Sequence, residues 1–180
     1  MLMLNTLQNF AEVGVAIMGF SGIVTALYSR SEVAWTPRER DHLLSLLQTS
    51  AMVVAFALVP QVLIAYFDEG RVLWLQASSL YLFAHLTHYF LVAKKMRRAI
   101  SLNRSYSIRK RDAIVSGAVA SILIIGQALA IIYGSVTQMH FAYLVVLFWH
   151  TASAVLMFCT LLIRVMPKPA PTAKPARKPL

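Results

Sequence analysis

AIVSGAVASILIIGQALAIIY, residues 113–133, runs without a single charged side chain. A helix of that length covers about 30 Å, the thickness of a bilayer's hydrocarbon layer. Four further stretches of similar length and character lie at residues 7–28, 43–67, 72–93 and 141–163. A chain crossing lipid must satisfy its backbone hydrogen bonds within itself, so it crosses as helices or as a closed barrel. These runs are continuously apolar and lack the alternation of a barrel wall. The sequence therefore predicts an all-α integral membrane protein, a bundle of five transmembrane helices.

Composition agrees with that class. Hydrophobic residues make up 58% of the 180 and charged residues only 13%, where a soluble domain carries about 25% charged. The segments between the runs are too short and too polar for a second core. The expected organisation is one transmembrane domain over residues 1–165, then a basic tail over 166–180. That tail, with five prolines in PKPAPTAKPARKPL, reads as a disordered, partly polyproline II extension. Cys159 is the only cysteine, which excludes an intrachain disulfide and a cysteine-only zinc site.

A net charge of +10 would point to nucleic acid in a soluble protein; here its distribution gives it another meaning. Arg30, Arg38 and Arg40 follow the first run. Lys94, Lys95, Arg97, Arg98, Arg104, Arg109, Lys110 and Arg111 follow the third, and Arg164, Lys168, Lys174, Arg177 and Lys178 follow the fifth. Only Arg71 falls on the other side. The positive-inside rule then predicts an external amino terminus and a cytoplasmic carboxyl terminus, with the first run retained as an anchor. The basic loop faces anionic lipid headgroups at roughly 1 kcal/mol per nearby basic residue. This topology explains the charge without a nucleic-acid partner.

Thr36, Pro37 and Glu39 form the start signal of the second helix, a capping box with proline at the first helical position. Trp35 precedes it as an interfacial anchor, and His42 reads as a solvated interfacial residue. Pro60 lacks a backbone donor, so the carbonyl of Phe56, four residues earlier, is expected to be released from the helix ladder.

Polar residues within a span are expected to face the protein interior, because lipid exposure is costly. Helical spacing collects Gln8, Glu12, Ala16, Gly19, Ile23 and Ala26 on one face of the first span, with Gly19, Gly22 and Ala26 as a close-packing seam. It also groups Ser50, Ala57 and Gln61; Ser78, Tyr81, His85, His88 and Tyr89; Ser116, Ala120, Gln127 and Gly134; and Tyr143, His150 and Ala154. By rise per residue, Glu12, Gln61, Ser79 and Gln127 form an outer polar layer about 8 to 10 Å deep. His85, His88 and His150 form a deeper titratable one.

These layers have a functional reading, an ion or proton path through Glu12, Gln61, His85, His88, Gln127 and His150. Their structural reading is interhelical hydrogen bonding that fixes packing. No cofactor is predicted, although the His85 and His88 pair with His150 also fits a haem or transition-metal set by ligand type. The sequence has no phosphate-binding glycine loop, no Gly-x-Ser-x-Gly elbow and no His-Glu-x-x-His, and a non-enzyme is expected.

GFSGIV at 19–24, WTPRER at 35–40, LLSLLQTS at 43–50 and LVP at 58–60 resemble a pattern of uncharacterised small bacterial multi-pass membrane proteins. The resemblance covers the first third of the chain. It implies a bacterial inner-membrane setting and no particular activity. The resulting expectation is a channel-like or transport-related component, self-associating through its glycine seam. The alternatives are a non-catalytic membrane scaffold or accessory subunit that recruits partners through its basic loop and tail, and a haem-binding electron-transfer subunit.

Overall fold

One helix, α5 (Val136–Val165), is the hub of the bundle, because every other helix packs against it. The computed structural model describes residues 2–29, 35–68, 70–101 and 110–165. They form α1 (Leu2–Ser29), α2 (Pro37–Leu63), α3 (Arg71–Ser101), α4 (Lys110–Tyr133) and α5 (Val136–Val165). Consecutive helices are neighbours, as short connections favour, so α1 to α4 form an arc around α5. The arc stays open, since α1 and α4 are not in contact. Phe141, Phe148 and Val155, seven residues apart, lie exposed along α5.

Local chemistry sets the helix ends. The Thr36 hydroxyl accepts from the Glu39 N–H, and the Glu39 carboxylate accepts from the Thr36 N–H at 2.8 Å. The expected capping box is therefore present. Ser135 and Gln138 repeat the device at the start of α5, where the Ser135 N–H donates to Gln138 Oε1 at 2.7 Å. Helix α2 ends at Leu63, earlier than the apolar run, and residues 64–66 form turns.

The core is continuous through one end and the middle of the bundle, where Leu7, Val53, Leu73, Trp74, Tyr81, Tyr143 and Leu147 are fully enclosed. A second cluster of Ile17, Leu46, Ala154 and Leu161 lies toward the other end, and Trp35 packs onto it. The exterior is the reverse of a soluble protein's. Phe20, Leu27, Phe83, Phe90, Ile122, Ile132, Phe148, Leu156 and many other large apolar side chains are exposed, far beyond the patches a water-solvated surface tolerates.

Four helices, α1, α2, α4 and α5, are long and apolar enough to cross a membrane. The expectation of five such spans is thus met for four. Helix α3 is as long but more polar, and the reason is visible in its packing. Ser78, Tyr81 and His85 are buried against the bundle, while Val72, Leu80, Phe83, Leu86 and Phe90 face outward.

Of the basic residues expected at one side, Lys94 and Arg97 are exposed on the last turns of α3. Lys95 and Arg98 lie on the same segment, and Lys110 and Arg111 open α4. Arg109 and the predicted tail at 166–180 fall outside the described residues.

Candidate functional site

A column of aromatic and imidazole rings fills the interface between α3 and α5. Trp74 meets Tyr143 with ring centroids 5.8 Å apart, and Tyr143 meets Tyr81 at 5.0 Å. Tyr81 meets His150 at 5.7 Å, and His150 meets His85 at 4.7 Å and His88 at 6.4 Å. Trp74, Tyr81, His85 and His88 advance along α3 in steps of seven, four and three, which keeps them on one helical face. The fourteen residue steps from Trp74 to His88 extend about 21 Å along the helix axis.

The polar centre of this column lies at His150, only 4% exposed. Its Nδ1 lies 2.9 Å from the Val146 carbonyl and 3.0 Å from the Tyr81 hydroxyl. A carbonyl only accepts, so with hydrogen on Nδ1 the ring donates to Val146. In the other tautomer Nδ1 accepts from the Tyr81 O–H. Either tautomer therefore finds a partner without a change of rotamer. His85 is 2% exposed, and its Nδ1 is buried with no hydrogen-bond partner. Unsatisfied buried nitrogens are uncommon in native proteins.

The expected inward faces of four helices are largely observed. Ser78, Tyr81 and His85 on α3, Tyr143, His150 and Ala154 on α5, Ala120 and Gln127 on α4, and Ser50 and Ala57 on α2 are all buried. The first helix is the exception. Gln8, Glu12, Ala16, Gly19, Gly22, Ile23 and Ala26 are all exposed, and Gln8 Nε2 donates to Glu12 at 3.0 Å along that outer face. What packs instead is Leu7, Ala11, Gly14, Ile17 and Ser21.

Gly14 is the residue that sequence reasoning missed. A Cβ there would come within 2.7 Å of Val54 Cγ2 and 3.3 Å of the Ser50 carbonyl, so glycine is what lets α1 approach α2. Gly19 and Gly22, by contrast, have open space where a Cβ would lie. The signal is the series of small and apolar residues Leu7, Ala11, Gly14, Ile17 and Ser21. Interior placement of Glu12 followed from its polarity and helical spacing, but small and apolar residues pack more closely, and a carboxylate toward the start of a helix can reach polar surroundings.

The outer polar layer accordingly does not assemble. Glu12 and Ser79 are exposed, and Gln61 is half-buried and turns back to the Ala57 carbonyl at 3.4 Å. Only Gln127 joins helices there, donating from Nε2 to the Ser78 carbonyl at 3.2 Å. Most hydroxyls bond within their own helix, as Ser21, Thr49, Thr87, Thr151 and Thr160 do to the carbonyl four residues back. His42 is more than an interfacial residue, since its Nε2 donates to the Met157 carbonyl at 2.8 Å and ties α2 to α5.

His85, His88 and His150 are brought together, as the sequence led one to expect. They meet edge to face rather than with nitrogens aimed at one point. Among the described residues no three His, Cys, Asp or Glu side chains converge as a metal set. The bundle also holds a cleft of about 740 Å³ between α4 and α5, and none of these histidines lines it. Comparison with protein-family models, with curated proteins and with solved structures finds no match.

Proposed function

We propose that this chain is a small bacterial inner-membrane protein in which the Tyr81, His150, His85 and His88 column relays protons as part of a transport or channel-like activity. The observation that carries the reading is the convergence of buried Tyr81, His85 and His150 with half-buried His88 between α3 and α5, with His85 Nδ1 unpartnered. The two nitrogens of an imidazole can pass a proton through the ring. The Tyr81 hydroxyl, 3.0 Å from His150 Nδ1, gives the column one hydrogen-bonded step. Intramembrane histidines are a recurrent element of proton relays.

The reading takes α3 as a fifth span. Its outward face of Val72, Leu80, Phe83, Leu86 and Phe90 supports this, as does its packing against α2, α4 and α5. It places the amino terminus outside and the carboxyl terminus in the cytoplasm, on the strength of the one-sided basic residues. The cytoplasmic basic residues then rest on anionic lipid. Glu12 lies outside the relay. It belongs instead, with Gln8, Gly19 and Gly22, to a face of α1 through which a second copy packs, with open space at both glycines.

Proteoliposomes loaded with a pH-sensitive dye test the relay. A potassium-diffusion potential should drive proton uptake by the native chain and tenfold less by a His85→Gln, His150→Gln double variant that still folds. Equal flux from the two, or none from the native protein, removes the relay reading.

A further inference from the structure

We propose that Tyr81 is redox-active, giving up one electron through Tyr143 and Trp74 while its phenolic proton passes to His150. The column of rings changes chemistry at Tyr81. On one side stand Tyr143, 5.0 Å from Tyr81 between centroids, and Trp74, 5.8 Å further on, close enough for an electron to pass from ring to ring. Neither hands a proton onward. The indole N–H is a donor with no acceptor, and the Tyr143 hydroxyl donates to the Phe56 carbonyl, where the path ends. On the other side, His150, His85 and His88 carry protons but give up electrons far less readily than phenol or indole. Tyr81 is the junction of an electron-carrying half and a proton-carrying half.

The surroundings of Tyr81 fit the coupled step. A phenol that loses an electron sheds its O–H proton at once, so a base must already be in contact. His150 Nδ1 is that base, 3.0 Å from the Tyr81 hydroxyl. Once protonated, the same nitrogen donates to the Val146 carbonyl at 2.9 Å. The Phe56 ring covers Tyr81 nearly face to face, with centroids 4.4 Å apart, and Tyr81 is fully buried, so the phenoxyl radical is shielded from water. A buried imidazolium is costly. The onward passage of its proton to His85, 4.7 Å away between centroids, rests on the relay reading above, whereas the step between Tyr81 and His150 stands without it.

Trp74 lies in the first turn of α3, so electrons leave the column at that end. The oxidant that dissolves in lipid and takes an electron from indole or phenol is a lipid peroxyl radical. It gains one electron from Trp74 and one proton from surface water, and departs as the hydroperoxide. Tyr143 and then Tyr81 refill the indole. Tyr81 is left as the neutral phenoxyl radical and His150 as the imidazolium. A lipid-soluble hydroquinone, giving up one electron to the same rings and one proton to surface water, restores Tyr81 as the histidines return its proton.

The test uses the full-length protein in nanodiscs of saturated lipid, with a lipid-soluble azo initiator under oxygen as the source of peroxyl radicals. Samples frozen during exposure are read by electron paramagnetic resonance. A neutral tyrosyl radical should appear, and heavy-nitrogen labelling of histidine should alter its electron–nuclear double resonance spectrum through the His150 hydrogen bond. Tyr81→Phe should lose the histidine-coupled signal, Trp74→Phe should weaken it, and added hydroquinone should quench it. If Tyr81→Phe does not fold, the isotope effect in the native protein decides. No tyrosyl radical, a radical without histidine coupling, a coupled signal that survives Tyr81→Phe, or an undiminished signal in Trp74→Phe overturns the proposal. A native protein that carries no proton flux yet forms the coupled radical loses the relay and keeps the redox pair.

Discussion

The Tyr143 hydroxyl of α5 donates to the Phe56 carbonyl of α2, the carbonyl that Pro60 leaves without its helical donor four residues on. A proline imperfection in one helix thus becomes a tie to the hub helix. The same Phe56 ring stacks on Tyr81, with centroids 4.4 Å apart, so this joint also buttresses the candidate relay.

Tyr143→Phe should destabilise the bundle by about 1 kcal/mol, because it leaves a buried carbonyl unpaired. Pro60→Ala restores a backbone N–H for Phe56, so the same Tyr143→Phe change made in that background should cost markedly less. A double-mutant cycle by unfolding in mixed micelles measures the coupling. Additive effects would show that the two residues act separately.

Gly14 and Gly19 separate folding from assembly. Gly14→Val should destabilise the monomer by about 1 to 3 kcal/mol through overpacking against α2, or prevent folding. Gly19→Val should leave monomer stability within about 0.5 kcal/mol, as expected of an exposed site, yet weaken self-association in a dilution series followed by energy transfer. Unchanged association in Gly19→Val would exclude this face of α1 from the interface.

Glu12→Gln should leave proton uptake at the native level, because Glu12 lies on the outer face of α1, away from the α3 and α5 column. Vesicle flux measured side by side with the histidine double variant checks this. A loss of flux as large as that variant's would return the carboxylate to the path.

Thr36→Ala removes the side-chain half of the α2 capping box and should cost about 1 kcal/mol. Thermal melts monitored by circular dichroism give the value. Thr36→Ser, which keeps the acceptor, should restore most of it.

Much of the helix order could be read from the chain. The positions of α2 and α5 followed from their apolar runs, the Thr36 box was legible residue by residue, and Pro60 announced the free carbonyl of Phe56. The partner of that carbonyl could not be read, because Tyr143 lies eighty-seven residues away and no local pattern links them. The histidine face of α3 was legible because steps of three and four are a property of one helix. Its apposition to His150 depends on how two helices pair.

The amino-acid sequence by itself determined that this is an all-helical chain with an apolar exterior, since the length of an uncharged run and the need to satisfy the backbone are local constraints. It also determined which residues share each helical face, because the 3.6-residue repeat does so. Only the tertiary structure decided which face of α1 turns inward. Polarity nominated Glu12, but it is Gly14 that meets α2 with no room for a Cβ, and steric fit between helices is a relation that no single helix contains.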